Sequence, residues 1–301
     1  MKRVLSLLVC ITIILSLAAC TQNKASVSQI TVTDASNTEV SIDKIPNKII
    51  SLVPSITEIL YALNSGDKVT AVSDTCNYPE EVKTKAALKS GAGTNIENII
   101  ADNPDVVFIG KMSQKADQVQ QLRSAGVKVV VTDAQTIDGA YSDIAMVGKI
   151  VGKNKEANDL TNNMKKQFDE IKNIAKNETQ KKVYVELSPL DQGLWTCGQG
   201  TFLQELFNIC NIKNVFDDLN GWQSISEEQV IKADPDIILT TCGSYTASGN
   251  AASEIMSRKN WQSITAVKNG AVYDINADTT SRPAPRLVDA ARELIKKVYD
   301  K

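Results

Sequence analysis

From Ile137 to Asn177 the chain runs for about forty residues without a proline and without a candidate strand. Ile144, Val147, Ile150 and Val151 fall at helical spacing. Leu160, Met164, Phe168 and Ile171 continue the apolar stripe at steps of four, four and three. Gly148 and Gly152 are candidate kinks. The spacing predicts one long helix or two nearly collinear ones. A helix of ~35 residues spans roughly 50 Å, longer than a small domain needs for itself. Such a rod divides the chain into an N-terminal and a C-terminal part.

Both flanks alternate strand and helix. Ile30 to Ile42 reads as a hairpin around the polar turn "DASNTE". "KIISLV" predicts a buried strand and "PSITEILYALN" a helix, with Ser55 as N-cap and Glu58 completing a capping box. Strands follow at "KVTAVS", "DVVFIG" and "VKVVVTD", with helices at "NIENIIADN" and "QKADQVQQLRSAG". Beyond the rod, "KVYVEL", "DIILTT" and "AVYDI" read as strands. "GTFLQELFNIC", "SEEQVIKAD" and "APRLVDAARELIKKVYD" read as helices. Alternation of this kind indicates parallel sheets covered by helices. The expected fold is α/β, with two Rossmann-like lobes joined by one backbone helix.

One unit occurs in each lobe. "NIENIIADNPDVVF" and "ISEEQVIKADPDIILT" each carry a Glu, Glu97 or Glu228, seven positions before a Pro-Asp pair that opens an apolar run. Glu near a helix start and Pro after a helix end are common caps, so chance is one explanation. A shared role for the two acids is the other.

The first residues set the compartment. Lys2 and Arg3 precede Val4 to Ala19, a mostly apolar run too short for the ~20 residues of a spanning helix. It ends "LAAC", which looks like a lipobox, with Cys20 becoming lipidated and N-terminal; the alternative is an anchor kept intact. The expected organisation is leader 1–19, lipidated tether and hairpin 20–45, N-terminal lobe 46–138, backbone helix 139–178 and C-terminal lobe 179–301. Without the leader, 31 basic residues face 35 acidic ones, which argues against nucleic acid as a partner. The chain has no His, which removes Ser-His-Asp and Cys-His catalysis and His-ligated metal or haem together. Cys76, Cys197, Cys210 and Cys242 show no C-x-x-C spacing, so a zinc ribbon is not expected. The acidic neighbours Glu80-Glu81 and Asp217-Asp218 read as solvated faces rather than catalytic pairs. No enzymatic activity, resident cofactor or structural metal is expected.

The segments "KIISLVPSITEILYAL", "AVSDTCNYPEEV", "NIENIIADNPDVVF", "GWQSISEEQVIKADPDIIL" and "SRPAPRLVDAAREL" together resemble the class III substrate-binding proteins of ABC importers, the vitamin B12 and iron–siderophore receptors. The resemblance runs from about Pro46 to Tyr299. "CNYPEE" and Trp222 ahead of "SISEEQV" are most similar to the cobalamin-binding branch. It implies two lobes with ligand in the cleft between them, and a backbone helix that limits closure. It also implies that one exposed Glu on each lobe docks onto a dimeric permease, and Glu97 and Glu228 match those positions. On this reading the chain is an extracytoplasmic monomer, lipid-anchored through Cys20. It captures cobalamin or another corrinoid and passes it to the permease; the alternative cargo is a ferric siderophore or haem-type iron chelate.

Ligands of α/β lobes sit at the loops after strand carboxyl ends. That rule selects Pro54-Ser55, Asp74 to Tyr78, Gly91 to Thr94, Gly110 to Met112, Ser188 to Gly200, Gly221-Trp222, Cys242 to Tyr245 and Asp278 to Arg282. Within them Ser55, Cys76, Tyr78, Thr94, Trp195, Trp222, Tyr245 and Arg282 are the candidate ligand contacts. A wide chelate needs flat aromatic walls, for which the Trp and Tyr residues are candidates, with core packing the alternative. Arg282 suits a phosphate or carboxylate, whereas Arg286, one turn into the helix, reads as structural. Cys76, Cys197 and Cys242 fall in cleft-side loops, as ligand contacts or as small apolar residues. Against the cobalamin branch, "KSGAGTN" lacks an aromatic, and Thr279-Thr280 stands where an aromatic often precedes the Arg. The family's disulfide from the "FNIC" region cannot form, because the last helix has no Cys.

Overall fold

A computed structural model describes residues 29–112, 115–246 and 249–300. The leader 1–19, Cys20 and the tether as far as Ser28 lie outside the described residues. Strands β1 (Ile30–Thr33) and β2 (Glu39–Ile42) form the expected hairpin, with Val32 opposite Val40 and both buried. Asp34 fastens it to the body. Its carboxylate accepts from the Val131 amide at 3.0 Å and pairs with Arg123 at 2.6 Å.

The N-terminal lobe is an all-parallel sheet of β3 (Ile49–Ser51), β4 (Val69–Ser73), β5 (Ala86–Leu88), β6 (Val106–Gly110) and β7 (Val129–Thr132), in the order β5-β4-β3-β6-β7. Alternate side chains feed two cores. Ile49, Val106, Phe108 and Val130 enter one, while Ile50, Val107, Ile109 and Val131 enter the other. Both faces are therefore covered, as the near-continuous apolar runs require. Helix α1 (Pro54–Ala62) packs on the first face; α2 (Ile96–Asp102) and α3 (Ala116–Ser124) pack on the second.

The long helical stretch is neither one rod nor two collinear pieces. Helix α4 (Ile137–Val151) ends at Gly152, which adopts φ +72°, and α5 (Asn154–Ala175) runs back beside it. The reversal is visible in two contacts. Gly148 abuts Ala157, and the Lys165 ammonium lies 5.0 Å from the Tyr141 ring centre. A Cβ on Gly148 would come within 2.5 Å of the Ala157 Cβ, so only Gly lets the helices approach this closely. The kink expected at these glycines is a full reversal, because left-handed backbone at a helix end stops the helix. The 22-residue helix α5 alone is the backbone helix, crossing from one lobe to the other over about 33 Å.

The C-terminal lobe holds β8 (Lys182–Glu186), β10 (Lys213–Asn214), β12 (Ile237–Thr240) and β13 (Val272–Asp274) in the parallel order β10-β8-β12-β13. A separate antiparallel pair joins β9 (Trp195–Cys197) to β11 (Trp222–Ser224). The helices are α6 (Phe202–Ile209), α7 (Glu227–Ala233), α8 (Ala251–Ser257), α9 (Thr265–Lys268), α10 (Ala277–Ser281) and α11 (Leu287–Tyr299). One apolar core runs unbroken from Val147 through Ala157, Met164 and Phe168 to Leu206 and Leu294, so the lobes share packing as well as a connector. Among the described residues no helix is long and apolar enough to cross a membrane.

The repeated unit is the same object in each lobe. Asn95 and Ser226 are N-caps whose side chains accept from the backbone three residues on. Both helices have seven residues and end in left-handed caps, Asn103 at φ 49° and Asp234 at φ 43°. The Asp of each Pro-Asp pair then joins two strand starts. Asp105 accepts from the Lys48 amide at 3.0 Å, and Asp236 from the Lys182 amide at 2.8 Å. Lys48 and Lys182 reach back to the carbonyls of Asp102 and Asp234. The shared spacing thus has a structural cause, since it aligns each new strand with its neighbour.

Candidate functional site

The carboxyl ends of both sheets face one another across the seam. Residues just past β3, β6 and β7 on one side, and β8 and β12 on the other, line a cleft of about 600 Å³. Trp222 and Phe202 supply its aromatic wall, packed edge to face with ring centres 5.2 Å apart. Val53, Pro54, Met112, Leu187 and Pro283 extend the apolar surface; Ser55, Thr75, Thr241 and Gln135 are among its polar groups. Gln135 is fixed from three sides. It accepts from Trp222 Nε1 at 2.8 Å, donates to Asp133 at 2.8 Å, and its carbonyl accepts from the Phe202 amide at 2.6 Å. Glu205 completes this edge by accepting from the Ile137 amide at 2.6 Å, at the start of α4.

At the opposite edge the lobes are joined by charge. Glu58, 3% exposed, accepts from Arg282 at 3.1 Å and from Arg286 at 2.9 and 2.5 Å. Asn77 donates to Asp278 at 2.7 Å and accepts from Arg282 at 2.8 Å. Arg286 also lies over the Tyr78 ring, 4.0 Å from its centre. Two sequence expectations change here. Glu58 does not close a capping box with Ser55: the helix N-cap is Val53, and Glu58 turns to the arginines of the other lobe. Arg282 does line the cleft, but its guanidinium is already held by Glu58, Asn77, the Thr75 carbonyl and Asp278, so it is a clamp between lobes rather than an open anion receptor. Arg286 is structural, as expected.

The remaining candidates separate by place. Ser55, Trp222 and Arg282 come together in the cleft. Tyr78 lines a different hollow beside Glu58, Tyr61 and Arg286. Cys76 is half-buried, 3.3 Å from the Thr57 hydroxyl, and burial pushes its thiol up. Thr94 is buried and donates to the Gly91 carbonyl. Trp195 and Tyr245 are exposed and do not line the cavity. Cys197 and Cys242 are not cleft-facing; both are 0% exposed, and burial raises their thiols to about 12 and about 11. All four described Cys are free. Among the described residues no cluster of three metal-ligating side chains occurs. Glu97 and Glu228 are both exposed at the second helical position of their units, at the helix ends directed away from the strand starts.

Sequence reasoning missed Gln135, Phe202 and Asp143. The loop rule reaches Asp133 to Gln135 once it is applied to the last strand of the first lobe. Asp143 is harder to see, because it lies inside α4 beside Ile144. Its signal is an acid on the apolar side of a helix. It is 9% exposed, lines the cleft and receives no hydrogen bond among the described residues; burial, with Asp133 adding, pushes its carboxyl up to about 7.

Two lobes, a connecting helix and a ligand-sized cleft at the strand ends describe a binder of small molecules. The sequence profile described as "Periplasmic binding protein" matches residues 49–279. The chain belongs to that family. The binding protein is 39% identical over 263 residues to an uncharacterized ABC transporter substrate-binding lipoprotein, YvrC, of Bacillus subtilis, a match covering 85% of this chain and 81% of that one. Among solved structures it is similar to a possible iron-binding, periplasmic solute-binding protein from Staphylococcus epidermidis, at 33% identity and TM-score 0.73, covering 85% of this chain and 100% of the other. It is also similar to the periplasmic vitamin B12 binding protein BtuF of Vibrio cholerae, at 25% identity and TM-score 0.72, with 84% and 96% covered. The expected α/β architecture, two lobes and a backbone helix, is that of these neighbours.

Proposed function

We propose that this binding protein captures a cobalamin or related corrinoid in the interlobe cleft and delivers it to an ABC permease, docking through Glu97 and Glu228. A lipid on Cys20 holds it at the outer face of the cell membrane. The observation that carries the ligand assignment is the cleft itself, about 600 Å³ at the facing strand ends, with the Trp222 ring, set edge to face on Phe202, beside amide and hydroxyl groups. A broad, largely apolar disc with amide fringes matches such a lining. The relatives that bind vitamin B12 add support.

Titration with cyanocobalamin, followed by Trp222 fluorescence, tests this reading. Binding tighter than ~10 μM is expected, and no binding at that level removes the corrinoid. A second reading, a ferric siderophore or haem-type chelate in the same cleft, is favoured by the single Trp in the wall and by the similarity to the possible iron-binding protein. The absorption spectrum of protein purified from its own organism separates the two, because corrinoids and iron chelates absorb differently.

A further inference from the structure

The cleft contains four charged side chains, Lys111, Asp133, Asp143 and Arg282. Three of them are already satisfied. Lys111 pairs with Asp133 at 3.3 Å, and Asp133 also receives Gln135. Arg282 is committed to Glu58 and Asp278. Among the described residues Asp143 alone has no partner, although it is more than nine-tenths buried and lines the cavity. Burying a carboxylate without a hydrogen bond is costly, and such groups are rare in folded proteins. Nothing in the fold requires an acid there, since its helix neighbours Ala140, Ile144 and Val147 are ordinary core residues. Its carboxylate oxygens are not fully enclosed but open to the cleft, so an occupant of the cleft can supply the partner.

We propose that Asp143 selects the charge of the ligand: the cleft accepts a neutral or cationic chelate that presents amide or ammonium N–H groups to this carboxylate, and disfavours chelates fringed with carboxylates. This rests on the reading of the cleft as a chelate site. An anionic ligand would meet an unpaired acid and find both cations of the cleft already engaged. An amide-fringed or amine-bearing ligand supplies the donor that Asp143 lacks and cancels its desolvation cost.

The test is a binding panel on the wild-type protein, Asp143→Asn and Asp143→Ser. The probes are cyanocobalamin, ferrioxamine B with its free ammonium group, haemin and ferric citrate. Wild type should prefer one of the first two. Asp143→Asn should weaken ferrioxamine B binding by ~10-fold or more if it is the ligand, the scale of a lost charge-assisted bond. It should weaken cyanocobalamin less, because the Asn carbonyl still accepts from an amide, whereas Asp143→Ser should weaken either. Both variants should gain affinity for haemin or ferric citrate. Preference of the wild type for an anionic chelate, unchanged in both variants, overturns the role of Asp143 and leaves the chelate reading intact. Binding of no probe by any form overturns the chelate reading and the inference with it.

Discussion

Arg286 of the C-terminal lobe grips Glu58 of the N-terminal lobe through two hydrogen bonds, Nε to Oε2 at 2.9 Å and Nη2 to Oε1 at 2.5 Å. The geometry is the planar fork for which guanidinium and carboxylate are matched. Arg282 adds a third bond to the same acid. The seam is therefore closed by charge at one edge and by the Trp222–Gln135 hydrogen bond at the other.

Removing Glu58 leaves two guanidinium groups without their carboxylate. Glu58→Ala should lower stability by about 3–5 kcal/mol, the usual cost of breaking a buried pair from one side. Chemical denaturation measures this. Because the pair spans the lobes, the variant should also show faster amide exchange along the seam, at Thr75 to Asn77. Unchanged stability would mean that the clamp is not formed in solution.

Gly148 is where α4 touches α5. Gly148→Ala favours the helix intrinsically, yet its methyl group collides with Ala157. The collision should prevail, lowering stability by about 1–3 kcal/mol, the cost of overpacking. The same substitution at Gly139, where the nearest atoms lie 3.3 Å away, should cost less. A melting comparison of the two variants decides it.

Asp143 makes stability depend on pH in an unusual direction. Its carboxyl is raised in the folded protein to about 7 from about 4 in an unfolded chain. Between these values the folded state holds a proton that the unfolded state has released, so stability falls as pH rises through that window. Three units correspond to an upper limit of roughly 4 kcal/mol. Ligand-free Asp143→Asn should gain on wild type as pH rises, with the largest difference in melting temperature above pH ~7 and little below pH ~4. A difference independent of pH would show that the carboxyl does not titrate in this range.

Glu97 and Glu228 occupy matching places in the two lobes, and a two-fold partner would meet both alike. Glu97→Lys with Glu228→Lys should abolish uptake in cells while ligand affinity in vitro stays within about twofold, because exposed rim charges govern encounter and register. Normal uptake by the double variant would remove the docking role.

The alternation of strand and helix, the hairpin, the Pro-Asp units and a helical stretch between the lobes were all legible from local pattern, because period and caps are properties of neighbouring residues. What each polar side chain does at the seam was not. Glu58 sits three residues after a good N-cap and reads as a capping acid, yet its partners lie more than two hundred positions away. Arg282 reads as an anion receptor until those same partners occupy it. The reversal at Gly152 was equally hidden, since one left-handed residue and one missing methyl group turn a straight rod into a hairpin.

The residues by themselves determined two parallel α/β lobes and the place of the cleft, because strand ends define it wherever the lobes are set. Only the tertiary structure decided which groups remain free inside that cleft. A charge is engaged or open according to what the other lobe brings within hydrogen-bond distance, and among the described residues only Asp143 of the four cleft charges is left without a partner.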